Sequence, residues 1–140
     1  MFGTLDHVGV LVRDLDAGVD AACASLGLQL ARSADLEQYA IRARFLGEGS
    51  GSLEIFTFTD PEILEGRLAG LDRRLDHVAF RVEDIESLSA TLRATGVRFC
   101  GPDRREDALE PIPTGPARAL WTRPETSGGL ALQLIEPPSS

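Results

Sequence analysis

Leu5-Asp6-His7-Val8-Gly9-Val10 returns as Leu75-Asp76-His77-Val78-Ala79-Phe80, and this repeat decides how the whole chain is read. The spacing of 70 residues also pairs Val12 with Val82, Asp14 with Asp84 and Asp16 with Glu86. A shift of half the 140-residue chain signals an internal duplication. Each copy is followed by a helix-like stretch, Leu15–Leu26 or Ile85–Thr95, with Asp14 or Asp84 as N-cap and Gly27 or Gly96 at its close. Both halves therefore open strand, helix, glycine, strand.

In the first half, strand-like runs follow at Leu28–Ser33, Tyr39–Leu46 and Ser52–Phe58, with Gly47–Gly51 as a hairpin turn. The glycines of that turn lack the Gly-Lys-Ser/Thr ending of a phosphate loop. The second half offers Val97–Cys100, Arg118–Thr122 and Leu130–Ile135, interrupted by a polar, proline-containing loop from Gly101 to Pro116. The predicted fold class is α+β. Two tandem βαβββ modules, 1–59 and 75–137, are joined by a linker, 60–74, that has room for a short helix. Within one domain, 1–140, their curved sheets are expected to surround a metal-binding cleft.

Composition narrows the function. Acidic residues outnumber basic ones by 22 to 14, a formal charge of −8, which argues against general attraction to nucleic acid or an anionic membrane. All 14 basic residues are arginine, so a Schiff-base lysine and lysine-anchored pyridoxal chemistry are excluded. No apolar run approaches the roughly 20 residues needed to cross a bilayer, and Met1–Val8 does not read as a secretory signal. The expectation is a cytoplasmic protein acting on a small molecule. Cys23 and Cys100 form no C-x-x-C pair and read as buried, reduced thiols.

Side chains alternate across a strand, so Val8, Val10 and Val12 share one face while His7, Gly9 and Leu11 share the other. In the second copy Val78, Phe80 and Val82 face the helix, leaving His77, Ala79 and Arg81 opposite. The small Gly9 and Ala79 leave volume beside each histidine. The closing strands repeat the pattern: Glu54 is opposed to Leu53 and Ile55, and Gln133 to Leu132 and Leu134. A buried carboxylate requires hydrogen bonds, an ion pair or a metal. A divalent cation satisfies His7, Glu54, His77 and Gln133 together, and these four are the predicted metal ligands.

With Ser52-Leu53-Glu54-Ile55 and Gly129-Leu130-Ala131-Leu132-Gln133-Leu134, the repeated segments make the chain resemble the vicinal oxygen chelate superfamily from Leu5 to Pro137. That superfamily includes glyoxalase I, methylmalonyl-CoA epimerase, extradiol dioxygenases, fosfomycin-resistance enzymes and bleomycin-binding proteins. Glu37-Gln38 before the third strand and Thr122-Arg123-Pro124 ahead of the last look like the epimerase subgroup. The resemblance implies the same four ligands and a homodimer. Epimerases commonly carry His, Gln, His and Glu, whereas here the Gln and Glu are exchanged. The Gln133 amide cannot act as the general base that a carboxylate there provides in epimerases and glyoxalases.

Nitrogen and oxygen donors with open positions suit an octahedral Co, Ni, Mn, Fe or Zn ion acting as a Lewis acid. Glu54 and Glu37 are the candidate catalytic carboxylates. Arg42, Arg44, Arg81 and Arg123 are candidate anchors for a substrate carboxylate or phosphate; a salt bridge is the other fate of Arg81. Trp121, Phe56 and Phe58 read either as pocket lining or as core. The leading function is a metal-dependent epimerase or isomerase acting on a carbon acid such as a 2-substituted malonyl-CoA. Alternatives are a glyoxalase I-like lyase, an Fe(II) oxygenase of catechols, and a non-catalytic binder of a drug or metabolite.

Overall fold

The computed structural model describes residues 1–48 and 51–139. Gly49 and Ser50, inside the expected Gly47–Gly51 turn, lie outside the described residues. The first elements are β1 (Phe2–Val12), α1 (Leu15–Leu26), β2 (Leu30–Leu36), a 3-10 turn (Glu37–Tyr39), β3 (Ile41–Leu46), β4 (Ser52–Phe58) and α2 (Pro61–Leu68). There follow β5 (Arg73–Val82), α3 (Ile85–Ala94), β6 (Phe99–Cys100), β7 (Ile112–Thr114), β8 (Ala117–Thr122), a second 3-10 turn (Pro124–Thr126) and β9 (Leu132–Glu136). This is the expected α+β succession. The chain forms two compact units, His7–Asp76 and Met1–Asp6 with the residues from His77 onward.

In the unit His7–Asp76 the strand order is β2-β3-β4-β1, with β1 and β4 parallel and the other neighbours antiparallel. Helix α1 starts where the Asp14 side chain accepts the Ala17 N–H, and it stops at Gly27, whose φ of 68° suits glycine. Leu15 and Val19 of α1 pack with Val10, Val12, Leu46, Leu53 and Ile55, so the valine face of β1 lies under the helix. The opposite face is not open along its length. Leu11, Ile41, Ala43, Phe45, Phe56 and Phe58 form a second core, closed by Leu64 and Leu68 of α2. That helix occupies the segment read as a linker. Asp60 caps it, accepting from the Glu62 and Ile63 N–H groups, and Pro61 presets its first turn.

In the other unit β5-β9-β8-β6 are neighbours and β7 pairs with β8. The strands β5 and β9 run parallel, as β1 and β4 do. Val82, Ile85, Leu88, Phe99, Leu120 and Leu134 are its core, and Asp84 caps α3 by accepting the Ser87 N–H. The first residues of β1 lie along β5. The Phe2 and Phe80 rings meet edge-on at 5.6 Å, and a Cβ at Gly3 would stand 2.6 Å from the Arg81 carbonyl oxygen. Only glycine permits that approach.

Three expectations are corrected. Strand β2 runs Leu30–Leu36 rather than Leu28–Ser33, because its polar half is paired along β3 and tied by Asp35 to Arg44. The expected loop Gly101–Pro116 contains β7, a three-residue strand on β8 with Pro113 at its centre, too short to carry an alternation signal. Helix α3 ends at Ala94, one residue early, where Thr95 takes a non-helical conformation.

Candidate metal centre

Strand register carries a histidine and an acid or amide to one face in each half. Gly9 of β1 stands opposite Glu54 of β4, and His7 lies two residues before Gly9 on the same face. Ala79 of β5 stands opposite Gln133 of β9, with His77 two residues before it. One strand further on, Phe45 is opposite Glu54 and Trp121 is opposite Gln133. Each half thus sets a small residue, a polar residue and a large aromatic in one row across three strands.

His7, His77 and Gln133 are all buried, and the Glu54 side chain is 13% exposed. The Phe45 ring meets His7 edge-on, with centroids 5.1 Å apart and an interplanar angle of 90°. This contact restricts the imidazole plane, and in the sequence Phe45 shows only as an apolar residue in an alternating strand. Glu54 Oε1 lies 3.5 Å from His7 Nε2, longer than an ordinary charge-assisted hydrogen bond. Two donors about 2.1 Å from one ion are about 3.0 Å apart at right angles and about 4.2 Å apart when opposed. The 3.5 Å between His7 and Glu54 therefore suits two donors to one divalent ion, an imidazole nitrogen and a carboxylate oxygen drawn together where a lone negative charge is costly.

The other expected site residues have separate places. Glu37 is exposed at the start of the first 3-10 turn. Phe56 is buried in the core that α2 closes, its ring against Phe58 at 5.8 Å. Trp121 is buried with Cys100 and Ala119. Three of the arginines expected to hold an anion are committed to carboxylates. Arg81 Nε donates to Asp6 at 2.9 Å, Arg44 to Asp35 at 2.9 Å and Arg123 Nε to Asp107 at 2.5 Å. Arg98 grips the same Asp107, and hydrogen bonds from Arg98 and then Arg123 hold that carboxyl below its ordinary pKa. Arg123 also donates to the Arg104 carbonyl, so it ties down the loop after β6.

The glyoxalase-like domain matches residues 5–122, a span that holds His7, Glu54 and His77 and stops short of Gln133. The chain belongs to the glyoxalase-like domain family. No curated protein matches it. Among solved structures it is similar to a variant of Streptomyces coelicolor methylmalonyl-CoA epimerase in complex with 2-nitronate-propionyl-CoA. That likeness has 22% identity, coverage of 99% of this chain and 100% of the other, and a TM-score of 0.86. Methylmalonyl-CoA epimerase from Mycobacterium tuberculosis is 24% identical over 97% of this chain and 89% of its own, with a TM-score of 0.83. These likenesses establish the vicinal oxygen chelate fold for this member of the family.

Proposed function

We propose that the protein is a divalent-metal-dependent enzyme that removes a proton beside the carbonyl of a small acyl thioester, in the manner of an epimerase. The observation that carries this reading is the Glu54 carboxylate 3.5 Å from the buried His7 imidazole, with His77 and Gln133 at the equivalent register of the other unit. The fold shared with enzymes named as methylmalonyl-CoA epimerases supports the choice of substrate class.

The residues that would hold the ion are His7, His77 and Glu54, with the Gln133 amide oxygen as a fourth donor. When bound, the ion supplies Lewis acidity that makes the carbon acid easier to deprotonate. The chain supplies the rest. His7 must remain neutral to offer a lone pair, and the edge of Phe45 keeps its ring in place. Gln133 orients and donates or accepts hydrogen bonds but cannot take a proton. Glu54 is the carboxylate that would receive the proton, and inversion would call on Glu37, exposed at the first 3-10 turn, as a second acid/base group. Incubation with methylmalonyl-CoA or a related acyl-CoA in deuterium oxide should place deuterium at the α-carbon, and Glu54→Gln should abolish it. No exchange with any acyl-CoA or keto acid would end this reading.

One observation favours a second reading. Glu54 is the carboxylate beside His7, and Gln133 stands at the position equivalent in register. A single base suits proton transfer on one face, as in a glyoxalase I-like lyase. Turnover of the methylglyoxal hemithioacetal, without exchange into acyl-CoA, would select it. The homodimer belongs to the same proposal and is tested by light scattering. Among the described residues no helix is long and apolar enough to cross a membrane.

A further inference from the structure

Arg32 lies on β2 opposite Phe45 of β3. Its guanidinium carbon sits 3.7 Å from the centroid of the Phe45 ring, the ring that meets His7 edge-on at 5.1 Å. These two contacts bring the positive charge to within about 9 Å of the His7 imidazole. Arg32 is exposed and, among the described residues, forms no ion pair, whereas Arg44, Arg81 and Arg123 are each held by an aspartate. Arg42 alternates to the face opposite Phe45.

The backbone places Arg32 there by an irregularity. Leu30 is opposite Leu46, but Arg32 is opposite Phe45, so β2 uses two residues for one step of β3. In regular pairing Ala31 would stand opposite Phe45 and Arg32 would turn to the α1 side, where Leu46 packs. The bulge turns the arginine into the row that continues through Phe45 to Glu54. A planar cation on an aromatic face keeps its N–H edge free to grip an oxyanion in two-point fashion.

We propose that Arg32 anchors an anionic oxygen group of the substrate beside the His7–Glu54 pair, a carboxylate on the acyl part or a phosphate on its carrier. This rests on the reading of the site as one for acyl thioesters. Calorimetry on the metal-loaded protein tests it with three probes. Methylmalonyl-pantetheine has the carboxylate and no phosphate, coenzyme A has phosphates and no acyl carboxylate, and propionyl-pantetheine has neither. Arg32→Ala is expected to weaken one of the two anionic probes at least about tenfold and leave propionyl-pantetheine unchanged, with Arg32→Lys recovering part of the loss. Loss for methylmalonyl-pantetheine assigns the acyl carboxylate; loss for coenzyme A alone assigns the carrier phosphate. No difference between wild type and Arg32→Ala for any probe overturns the proposal. So does an equal fall in metal affinity, which would make Arg32 a mere support for Phe45. Arg32-dependent binding without deuterium exchange leaves the anchor standing and removes the carbon-acid reaction.

Discussion

Replacing Arg67 by alanine is expected to strip a large share of stability from the unit His7–Asp76. Arg67 Nη2 donates to both carboxylate oxygens of Asp76, at 2.6 and 2.7 Å, and Nε donates to Oδ1 at 3.2 Å. The side chains are only 12% and 6% exposed, and the guanidinium lies 5.2 Å from the Phe58 ring centroid. In Arg67→Ala the Asp76 carboxylate keeps its burial and loses this countercharge, a loss of about 3–5 kcal/mol for breaking one half of a buried pair. With a urea slope of roughly 1.5 kcal/mol/M, the unfolding midpoint should fall by about 2–3 M. Circular dichroism during urea unfolding measures it. Arg67→Lys keeps the charge without the two-oxygen grip and should fall between wild type and Arg67→Ala. The double variant Arg67→Met, Asp76→Leu should regain most of the loss, because no buried charge is left behind. A loss below about 1 kcal/mol in Arg67→Ala, the range of exposed pairs, would refute the reasoning.

Glu136 accepts the Ile85 N–H at the start of α3 and is gripped by Arg118, and these two bonds, in that order, hold its carboxyl below the ordinary value of 4.5. A group with a depressed folded-state pKa contributes stability above its unfolded value that is lost as pH falls through the folded one. Thermal melts between pH 7 and pH 3 should therefore show a smaller acid loss in Glu136→Gln than in wild type, and parallel curves would contradict this. Gly3→Ala forces a Cβ to within 2.6 Å of the Arg81 carbonyl oxygen. It should cost about 1–3 kcal/mol in a thermal or urea melt, whereas an unchanged midpoint would mean that β1 shifts freely along β5.

The duplicated scaffold was legible because its signals are local and repeat. Asp14 and Asp84 cap the helices they precede, and the alternation around His7 and His77 matches the register that sets Gly9 against Glu54 and Ala79 against Gln133. What the sequence hides depends on pairing between distant segments. The bulge that turns Arg32 toward Phe45 is a one-residue slip in register and leaves no mark on composition. The fates of Arg81 and Arg123 are decided by Asp6 and Asp107, 75 and 16 residues away in sequence. Leu64 and Leu68 carry an apolar stripe too brief to read within a segment rich in charge, yet they close the second core. Phe45 looks like any strand phenylalanine until its ring is found on the histidine.

Elemental analysis and competition titration of wild type, His7→Ala, Glu54→Ala and His77→Ala test the central claim most directly. The account predicts a single divalent ion per chain in the wild type and, in each variant, affinity lower by more than about 100-fold, beyond the loss seen when only an outer-shell partner is removed. Wild-type occupancy and affinity in all three variants would contradict it.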